Sequence, residues 1–294
     1  MSRRGWLLFA AMGVLWGIPY MFIKVAVREL SPADIVFGRT MLAALLLLPV
    51  AIRRRALSPA LRHWRWVVVF AITEIAIPWY LIVQAERRLP SALVGMLISL
   101  VPLFSTLLTW AFLDRQVIDR GRATGLVVGV LGVGLLLGLD ALLQPLDGWS
   151  VLAVVVCALL YAVAPIVADR RLGEAPSVGV ITLSLLLISI IYLPLAVLSR
   201  PKHLPSGAAL VSVATLGVLC TAAAFVLFFS LIAEVGPVRA SVITFVNPAV
   251  AVVLGVAVLS EALTWGTVIG FPTVLVGSWL ATRASRGPTE VKSG

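Results

Sequence analysis

Apolar runs of about twenty residues, each ended by a short polar break, recur along the whole chain and constrain its fold more than any other feature. A helix needs about 20 apolar residues to cross the hydrocarbon core of a bilayer, which is about 30 Å thick. Hydrophobic residues make up 61% of the chain and charged residues only 12%, against about 45–50% and about 25% in soluble domains. The pattern therefore predicts an all-α membrane protein with ten transmembrane helices. We place them at 6–26, 33–51, 66–85, 91–112, 121–139, 149–168, 177–198, 208–233, 238–260 and 264–282.

The basic residues between the runs predict how the helices are oriented. The formal net charge is +10, but no basic stripe interleaved with aromatic residues occurs, which argues against a nucleic-acid partner. Sixteen arginines and lysines fall on the side of the N-terminus and five on the opposite side. Because cytoplasmic loops carry the excess of Lys and Arg, we expect a multi-pass protein of a bacterial inner membrane with both termini in the cytoplasm.

An internal repeat divides the chain into two halves. Residues 85–90, with the sequence AERRLP, resemble residues 233–237, with the sequence AEVGP. Each segment is followed by an apolar run with one proline, then by an acid and a glycine-rich run. Five helices per copy is an odd number, so the second copy enters the membrane in the opposite direction. We expect a first repeat at 1–145, an inverted repeat at 146–284 and a short cytoplasmic tail at 285–294. Inverted repeats are typical of secondary transporters, which bind their substrate near the midplane.

Residues at both ends of the chain resemble the drug/metabolite transporter superfamily, and within it the ten-helix exporters built from two EamA-type repeats. The family's opening pattern is similar to Trp16-Gly17, Lys24, Pro32 and Arg39, and its closing pattern to Asn247-Pro248, Glu261-Ala262-Leu263-Thr264 and Gly270. The similarity extends over roughly residues 6–282. Two positions depart from the family, which usually has glycine in place of Ser260 and Gly-Glu in place of Asp114-Arg115.

This resemblance implies two inverted five-helix repeats around a central cavity that opens alternately to each side of the membrane. Members of the family export amino acids, including aromatic ones, and other small metabolites or drugs. We therefore expect a secondary transporter that exports amino acids, with aromatic amino acids as candidates, and that is not an enzyme. A drug or nucleoside efflux carrier of the same fold and an intramembrane enzyme are the alternatives. An inverted repeat within one chain favours a carrier over a channel.

Two ionisable residues lie deep in the predicted helices, where a charge is costly and by default functional. Glu74 lies about 12 Å into the third helix, at a rise of about 1.5 Å per residue, and so near the midplane. It either lines the cavity, as a proton carrier or a ligand of a substrate amine, or pairs with Arg39 or backbone donors. Arg39 either binds a substrate carboxylate through two hydrogen bonds or extends to the lipid headgroups, as Lys24 is expected to do.

Aromatic side chains in helices 1, 3 and 6 are candidates for the wall of a substrate cavity. They are Trp16, Tyr20, Trp79, Tyr80 and Tyr161. Their rings can stack on a substrate ring or hold an ammonium group by a cation–π contact. Trp16 and Tyr161 lie too deep for the interfacial belt in which Trp and Tyr are common. Ordinary packing is the alternative role for these two.

Small polar residues and prolines mark helices 4 and 9 as a further part of the cavity wall. Ser99 and Asn247 are the candidate ligands of a polar substrate in these helices. The candidate hinges are Pro78, Pro102, Pro165 and Pro248. Each proline removes a backbone donor and frees a carbonyl within the membrane, and that carbonyl needs a partner from protein or water. Neighbouring Ser and Thr hydroxyls are the alternative to a substrate as that partner.

Glycines recur at helical spacing in helices 5 and 10. They are Gly121, Gly125, Gly129 and Gly132 in the first of these and Gly266, Gly270 and Gly277 in the second. Such stripes let helices pack closely, and we expect them to serve as scaffold or as the contact of a homodimer. The sequence has no phosphate loop, metal-ligand spacing or nucleophile motif. It therefore predicts no catalytic residue, metal or cofactor, and only a small-molecule substrate and the lipid bilayer as partners.

Overall fold

All regular structure in the described part of the chain is helical. A computed structural model describes residues 2–113, 119–141, 145–199, 201, 203–236 and 240–282. Eight helices are long and apolar enough to cross a membrane: α1 (Arg3–Ala26), α2 (Pro32–Arg53), α3 (Trp64–Glu86), α4 (Ser91–Phe112), α5 (Arg120–Leu139), α6 (Gly148–Leu172), α7 (Ser177–Ser199) and α8 (Gly207–Val235). Two shorter apolar helices follow, α9 (Val242–Ala257) and α10 (Gly266–Thr282). Each overlaps a predicted apolar run, and the all-α fold is confirmed. The Asp114-Arg115 pair and the predicted tail 285–294 lie outside the described residues.

Polar breaks in the sequence start several helices by capping them. At the start of α2, Ser31 Oγ accepts a hydrogen bond from the Asp34 backbone N–H at 3.1 Å, and the Asp34 carboxylate accepts one from the Ser31 N–H at 3.0 Å. Pro32 occupies the first helical position, where its missing N–H costs nothing. Asp147 caps α6 through the Ser150 N–H at 3.0 Å. These caps satisfy donors that the helix itself leaves free.

Several of the membrane helices are interrupted near their middle. In α3 the α-helical segments are separated by a π-helical turn at Ile72–Ala76, and in α8 by a second π-helical turn at Val218–Ala223. In α9 a 3₁₀ turn at Ser241–Phe245 precedes an α-helix that begins at Asn247. Since proline cannot donate to the preceding turn, Pro248 falls in the first turn of that α-helix, and the predicted continuous helix 238–260 is divided there.

Contacts group the chain into two compact units, which do not coincide with the two halves expected from sequence. One unit contains Met1–Ile98 and Leu146–Leu263, and the other contains Ser99–Pro145 and Thr264–Gly294. The first unit includes a core cluster of buried side chains from α2, α3, α6, α7 and α8. The charged and aromatic candidates for the substrate site all belong to this first unit.

The glycine stripes are used inside the second unit. There α5 packs on α10, and a Cβ atom at Gly125 or Gly277 would collide with the backbone of the facing helix. Gly132 and Gly270 face the opposite helix in the same way. Small residues allow this close approach between helix backbones. These four glycines therefore serve as scaffold within the chain.

Candidate functional site

Arg39 forms the centre of the candidate site. Its residue on α2 is only 8% exposed. The Nε–H donates to Thr221 Oγ1 on α8 at 2.8 Å, and the guanidinium carbon lies 3.6 Å from the centroid of the Trp79 ring on α3. The two terminal amino groups make no hydrogen bond to any residue that the structure describes. Arg39 therefore does not extend to the headgroups. A ring and a hydroxyl hold it in place and leave its paired donors for an anion.

Thr221 orients this guanidinium from within the π-helical turn of α8. Its side chain is fully buried, and its own hydroxyl donates to the Leu216 carbonyl at 2.8 Å. With its proton used there, the oxygen can only accept from Arg39. The sequence analysis did not identify Thr221. The apolar run of α8 contains four hydroxyl-bearing residues, Ser212, Thr215, Thr221 and Ser230, and no local signal distinguishes Thr221 among them.

Glu74 lies in the π-helical turn of α3 and is half-buried. Among the described residues the ion pairs are Arg4–Glu234 and Arg88–Asp147, so the pair between Glu74 and Arg39 considered as an alternative is not formed. Glu74 makes no hydrogen bond to another described side chain or to the backbone of one. Single π-helical turns are frequent at functional sites, and this one carries the acid near the middle of α3.

Two tyrosines interact electrostatically with the charged residues of this region. Tyr161 on α6 lies within electrostatic range of Glu74, of Arg39 and of Tyr20 on α1. Tyr20 is buried and interacts in the same way with Arg39 and with Glu86 at the end of α3. The structure thus brings together Tyr20, Arg39, Glu74 and Tyr161, which the sequence analysis named separately. Their phenol and charged groups form one polar cluster inside an apolar bundle of helices.

The remaining aromatic candidates form the surroundings of this cluster. Trp79 belongs to the buried core cluster, and Trp16, Tyr80 and Tyr161 pack against it. The Trp16 ring lies 4.7 Å from that of Phe228, between ring centroids. The Tyr80 ring lies 6.0 Å from that of Tyr192. Of these rings, that of Trp79 lies beside Arg39, and the others are held by packing against the core cluster.

Protein groups satisfy the carbonyls near the Pro78 kink. The Tyr192 hydroxyl donates to the Ala76 carbonyl at 2.9 Å, and the Cys157 thiol donates to the Pro78 carbonyl at 3.4 Å. Both partners are side chains of other helices, a tyrosine on α7 and a cysteine on α6. Pro165 lies inside α6, which continues through it without a break. These contacts anchor α3 next to the turn that carries Glu74.

Asn247 and the prolines of α4 and α9 take part in packing. In the orientation that satisfies its hydrogen bonds, the Asn247 amide donates to the Ile243 carbonyl at 3.0 Å and to the Gly13 carbonyl at 3.2 Å. It thereby joins α9 to α1. In the second unit, Thr106 Oγ1 donates to the Pro102 carbonyl at 3.0 Å.

Ser99 begins the second unit and lies in a buried position. It is 1% exposed, and the Ser278 hydroxyl donates to its backbone carbonyl at 3.0 Å. This carbonyl lies at the break in α4 between Ile98 and Val101, just before Pro102. A serine on α10 therefore satisfies the carbonyl at that break.

A second polar cluster, which the sequence analysis did not identify as a site, lies where α3 ends. The Lys24 ammonium donates to the carbonyls of Glu86 and Leu89, both at 2.7 Å. A cation is favoured at these carbonyls because they carry the negative end of the helix dipole. Lys24 therefore does not extend to the headgroups as expected. The carboxyl group of Glu86 lies beside it and is fully buried.

Glu261 completes this second cluster by capping α4. Its carboxylate accepts from the backbone N–H of Ser91 at 2.7 Å and of Ala92 at 2.9 Å. Ser260, just before it, has a φ of 56°, in the left-handed region that favours glycine. This geometry explains why glycine suits the position. The turn directs Glu261 back onto the start of α4.

Two acids outside the membrane helices hold loops in place. Glu29 accepts from the Ser206 N–H at 2.6 Å and from the Ser206 hydroxyl at 2.5 Å, and these hydrogen bonds lower the pKa of Glu29. Asp147 accepts from the Ser150 hydroxyl and from Arg88, and these contacts lower the pKa of Asp147. Within the described residues, no three His, Cys, Asp or Glu side chains are grouped as metal ligands.

Comparison with known sequences gives the same match twice along the chain. The sequence model of the EamA-like transporter family matches residues 3–138 and again residues 148–283. The inner membrane transporter YedA of Escherichia coli K12, described as uncharacterized, is 24% identical over 275 residues, covering 90% of this chain and 88% of that protein. Protein PecM of Dickeya dadantii is 27% identical over 266 residues, covering 87% of this chain and 84% of that protein.

A solved crystal structure has a similar fold. It superposes with a TM-score of 0.68 at 20% identity and covers 96% of this chain and 97% of that chain. The agreement extends over nearly the whole length of both chains. At this identity the similarity concerns the fold alone.

Proposed function

Because this chain belongs to the EamA-like transporter family, we propose that it is a secondary transporter that exports a small zwitterionic metabolite. The leading candidate is an amino acid, in particular an aromatic one. The protein is a multi-pass transporter of the inner membrane. We propose alternating access as its mechanism, since the described helices carry no nucleotide-binding motif and inverted repeats favour it.

One observation carries the proposal of a zwitterionic substrate. Arg39 is buried in the helix bundle, and its terminal amino groups are left without a described partner, while Nε is bound by Thr221. A guanidinium fixed in this way can bind a carboxylate through two parallel hydrogen bonds. Glu74 belongs to the same cluster and interacts electrostatically with Tyr161, as Arg39 does. Its carboxylate can bind the ammonium group of the same substrate.

Trp79, Tyr161 and Trp16 support an aromatic or large apolar side chain on the substrate. Trp79 already stacks on Arg39, and the others pack against the same core cluster. A cationic drug is the second candidate, because Glu74 makes no ion pair with a described residue. Such a drug would need Glu74 but not the carboxylate-binding donors of Arg39.

We also propose the topology that the sequence predicts. The first repeat would be 1–145 and the inverted repeat 146–284, around the two matched segments. The bias of arginines and lysines supports a cytoplasmic location for both termini. The ends of α1 and α3 that carry Lys24 and Glu86, and the loop after α9 that carries Glu261, then face the outer side of the membrane.

The test is uptake of a labelled amino-acid panel by liposomes that contain the purified protein. We expect saturable uptake that Glu74→Gln and Arg39→Lys each reduce by at least about tenfold, because each substitution weakens a charged hydrogen bond worth about 1.5–3 kcal/mol. Arg171→Ala is the matched control. Arg171 also lies over a tryptophan ring, that of Trp66 at 4.7 Å, but outside the cluster.

The possible outcomes separate the candidates. Loss of amino-acid uptake in both variants, with unchanged uptake in Arg171→Ala and unchanged thermal stability, supports the zwitterion site. Drug uptake that needs Glu74 but tolerates Arg39→Lys supports the second candidate. Saturable amino-acid uptake that is indifferent to both substitutions would remove Arg39 and Glu74 from the substrate site.

A further inference from the structure

Glu86 is a buried acid that lies outside the cluster around Arg39. It is the last residue of α3 and is fully buried. Neither carboxyl oxygen has a hydrogen-bond partner among the residues that the structure describes. Most buried polar groups in proteins are hydrogen-bonded. A carboxyl group without a donor therefore requires a physical explanation.

The charged neighbours of Glu86 are already engaged. Lys24 on α1 directs its ammonium to two backbone carbonyls at 2.7 Å. Glu261 on the loop after α9 accepts from the Ser91 and Ala92 N–H groups. Both groups act on Glu86 only through space. The Ser91 hydroxyl at the start of α4 is likewise buried and without a described partner.

The other ionisable groups on the helices that pack against α3 lie further along or at the surface. On α6, Tyr161 belongs to the central cluster and Asp147 pairs with Arg88 at 3.0 Å. On α2, Arg39 is held by Thr221 and Trp79. Tyr20 on α1 interacts with both Arg39 and Glu86. No donor from these groups reaches the Glu86 carboxyl in the described structure.

A pocket adjoins Glu86, whose carboxyl oxygens are shielded from solvent in this conformation. A cavity of about 380 Å³ is lined by Lys24, Val27, Arg28, Glu86 and Arg87. The arginines are exposed at its edge. An ionised carboxylate without a donor is strongly disfavoured in such a buried position, whereas a water-filled pocket would stabilise the ion. Opening of this pocket would therefore change which form of Glu86 is stable.

We propose that Glu86 is a proton-binding site that communicates with the outer solution during the transport cycle. In the conformation described here its carboxyl group holds the proton. When the outer end opens, water in the pocket accepts that proton, and the resulting carboxylate pairs with the Lys24 ammonium, which leaves its backbone carbonyls. On closing, a proton from the outer solution returns to the carboxylate. This inference rests on the proposed transport function and on the proposed topology.

The outer pH should then control the outer step of the cycle. Outward opening requires loss of one proton and closing requires its return. The rate of exchange should therefore rise with outer pH on the acidic side, where opening limits exchange, by up to about tenfold per unit. We would measure exchange in right-side-out membrane vesicles, with the internal pH clamped and the outer pH varied. Glu86→Gln should abolish the dependence on outer pH, and Glu86→Asp should retain it.

Glu234→Gln is the matched control. Glu234 follows the corresponding alanine in the second half of the chain, but it is partly exposed and is bonded by Ser2 and Arg4. Its substitution should leave the pH profile unchanged. An identical pH profile for the wild type and Glu86→Gln would overturn the proposal.

An infrared measurement tests Glu86 independently of transport. A protonated carboxyl group has a carbonyl band that a carboxylate lacks, and the Glu74→Gln background removes any contribution from the acid near the middle of α3. In that background we expect a band that disappears on adding Glu86→Gln and persists on adding Glu234→Gln. Absence of the band would overturn the proposal even if transport is normal. Presence of the band without transport of any substrate would instead contradict the proposed function.

Discussion

Helices α3 and α8 have the same backbone plan but different chemistry. Each is the third helix of a matched segment, and each contains a π-helical turn, Ile72–Ala76 in α3 and Val218–Ala223 in α8. The turn of α3 carries Glu74, whereas that of α8 carries Thr221, whose hydroxyl binds Arg39. At their ends, Glu86 is buried without a described partner, and Glu234 is bonded to the N-terminal residues.

This difference indicates that the two matched segments contribute different groups to one site. The π-helical turn widens the helix locally and leaves room for a polar side chain facing its neighbours. In the first matched segment this turn carries Glu74. In the second it carries Thr221, whose hydroxyl orients Arg39 of the first segment. We infer that α3 carries groups that exchange ligands or protons, while α8 positions them.

The largest effect is expected from giving the α8 turn the charge of the α3 turn. Thr221→Asp places a carboxylate next to the Arg39 guanidinium and competes with the substrate carboxylate. Amino-acid affinity should fall about 100-fold, or roughly 3 kcal/mol, as for the loss of a buried charge pair. Competition binding with a labelled substrate measures this change.

Thr221→Asn provides the control for this substitution. It has nearly the same shape as the aspartate variant and offers Nε an acceptor without a charge. We expect its affinity to stay within about threefold of that of the wild type, a difference of less than about 1 kcal/mol. Equal losses in the two variants would mean that shape, not charge, governs this position.

A smaller effect is expected from removing the ring under Arg39. Trp79→Leu removes a cation–π contact worth about 1 kcal/mol, so substrate affinity should fall about fivefold. The substrate affinity of Trp79→Phe should fall less, because a smaller ring remains under Arg39. Trp66→Leu removes the ring under Arg171 and should leave affinity unchanged. A loss in that control as large as in Trp79→Leu would argue for a general packing effect.

The contact of Tyr192 with α3 should affect stability more than substrate affinity. Tyr192→Phe removes the hydroxyl that binds the Ala76 carbonyl, at a cost of about 1 kcal/mol. The midpoint of thermal unfolding in detergent should fall by about 2 °C. Tyr80→Phe is the control, because it removes the hydroxyl of the ring that packs next to Tyr192. An unchanged midpoint in Tyr192→Phe would show that the carbonyl finds another partner.

The sequence could predict the helices and some of the site, but not the contacts that distinguish α3 from α8. Apolar runs and breaks such as Ser31-Pro32 locate helices because the bilayer and the caps depend on local sequence. Arg39 and Glu74 could be named because charges are rare inside membranes, although their roles remain predictions. The π-helical turns and the Thr221 partner depend on tertiary contacts between distant helices, which no local pattern encodes.

Lys24 illustrates the same limit. A lysine near the end of a helix is expected to extend towards the headgroups. The free carbonyls at the end of α3 provide better partners only because α1 packs beside them in the fold. Sequence alone does not show that neighbour, and therefore the cluster around Glu86 could not be predicted.

The smallest effect concerns how the two helices begin. α3 begins without a side-chain cap at His63, whereas the cap of α8, Ser206, is bound by Glu29. Because these hydrogen bonds lower the pKa of Glu29 below its ordinary 4.5, the ionised form favours the folded state. That contribution is complete above about pH 4.5 and is lost as the pH falls through the lowered pKa. We expect thermal stability to fall slightly in this acidic range for the wild type, and less for Glu29→Gln. Since Glu29 is exposed, salt should weaken the effect. An equal loss in both proteins would assign the acid sensitivity to another carboxylate and leave α8 without this advantage over α3.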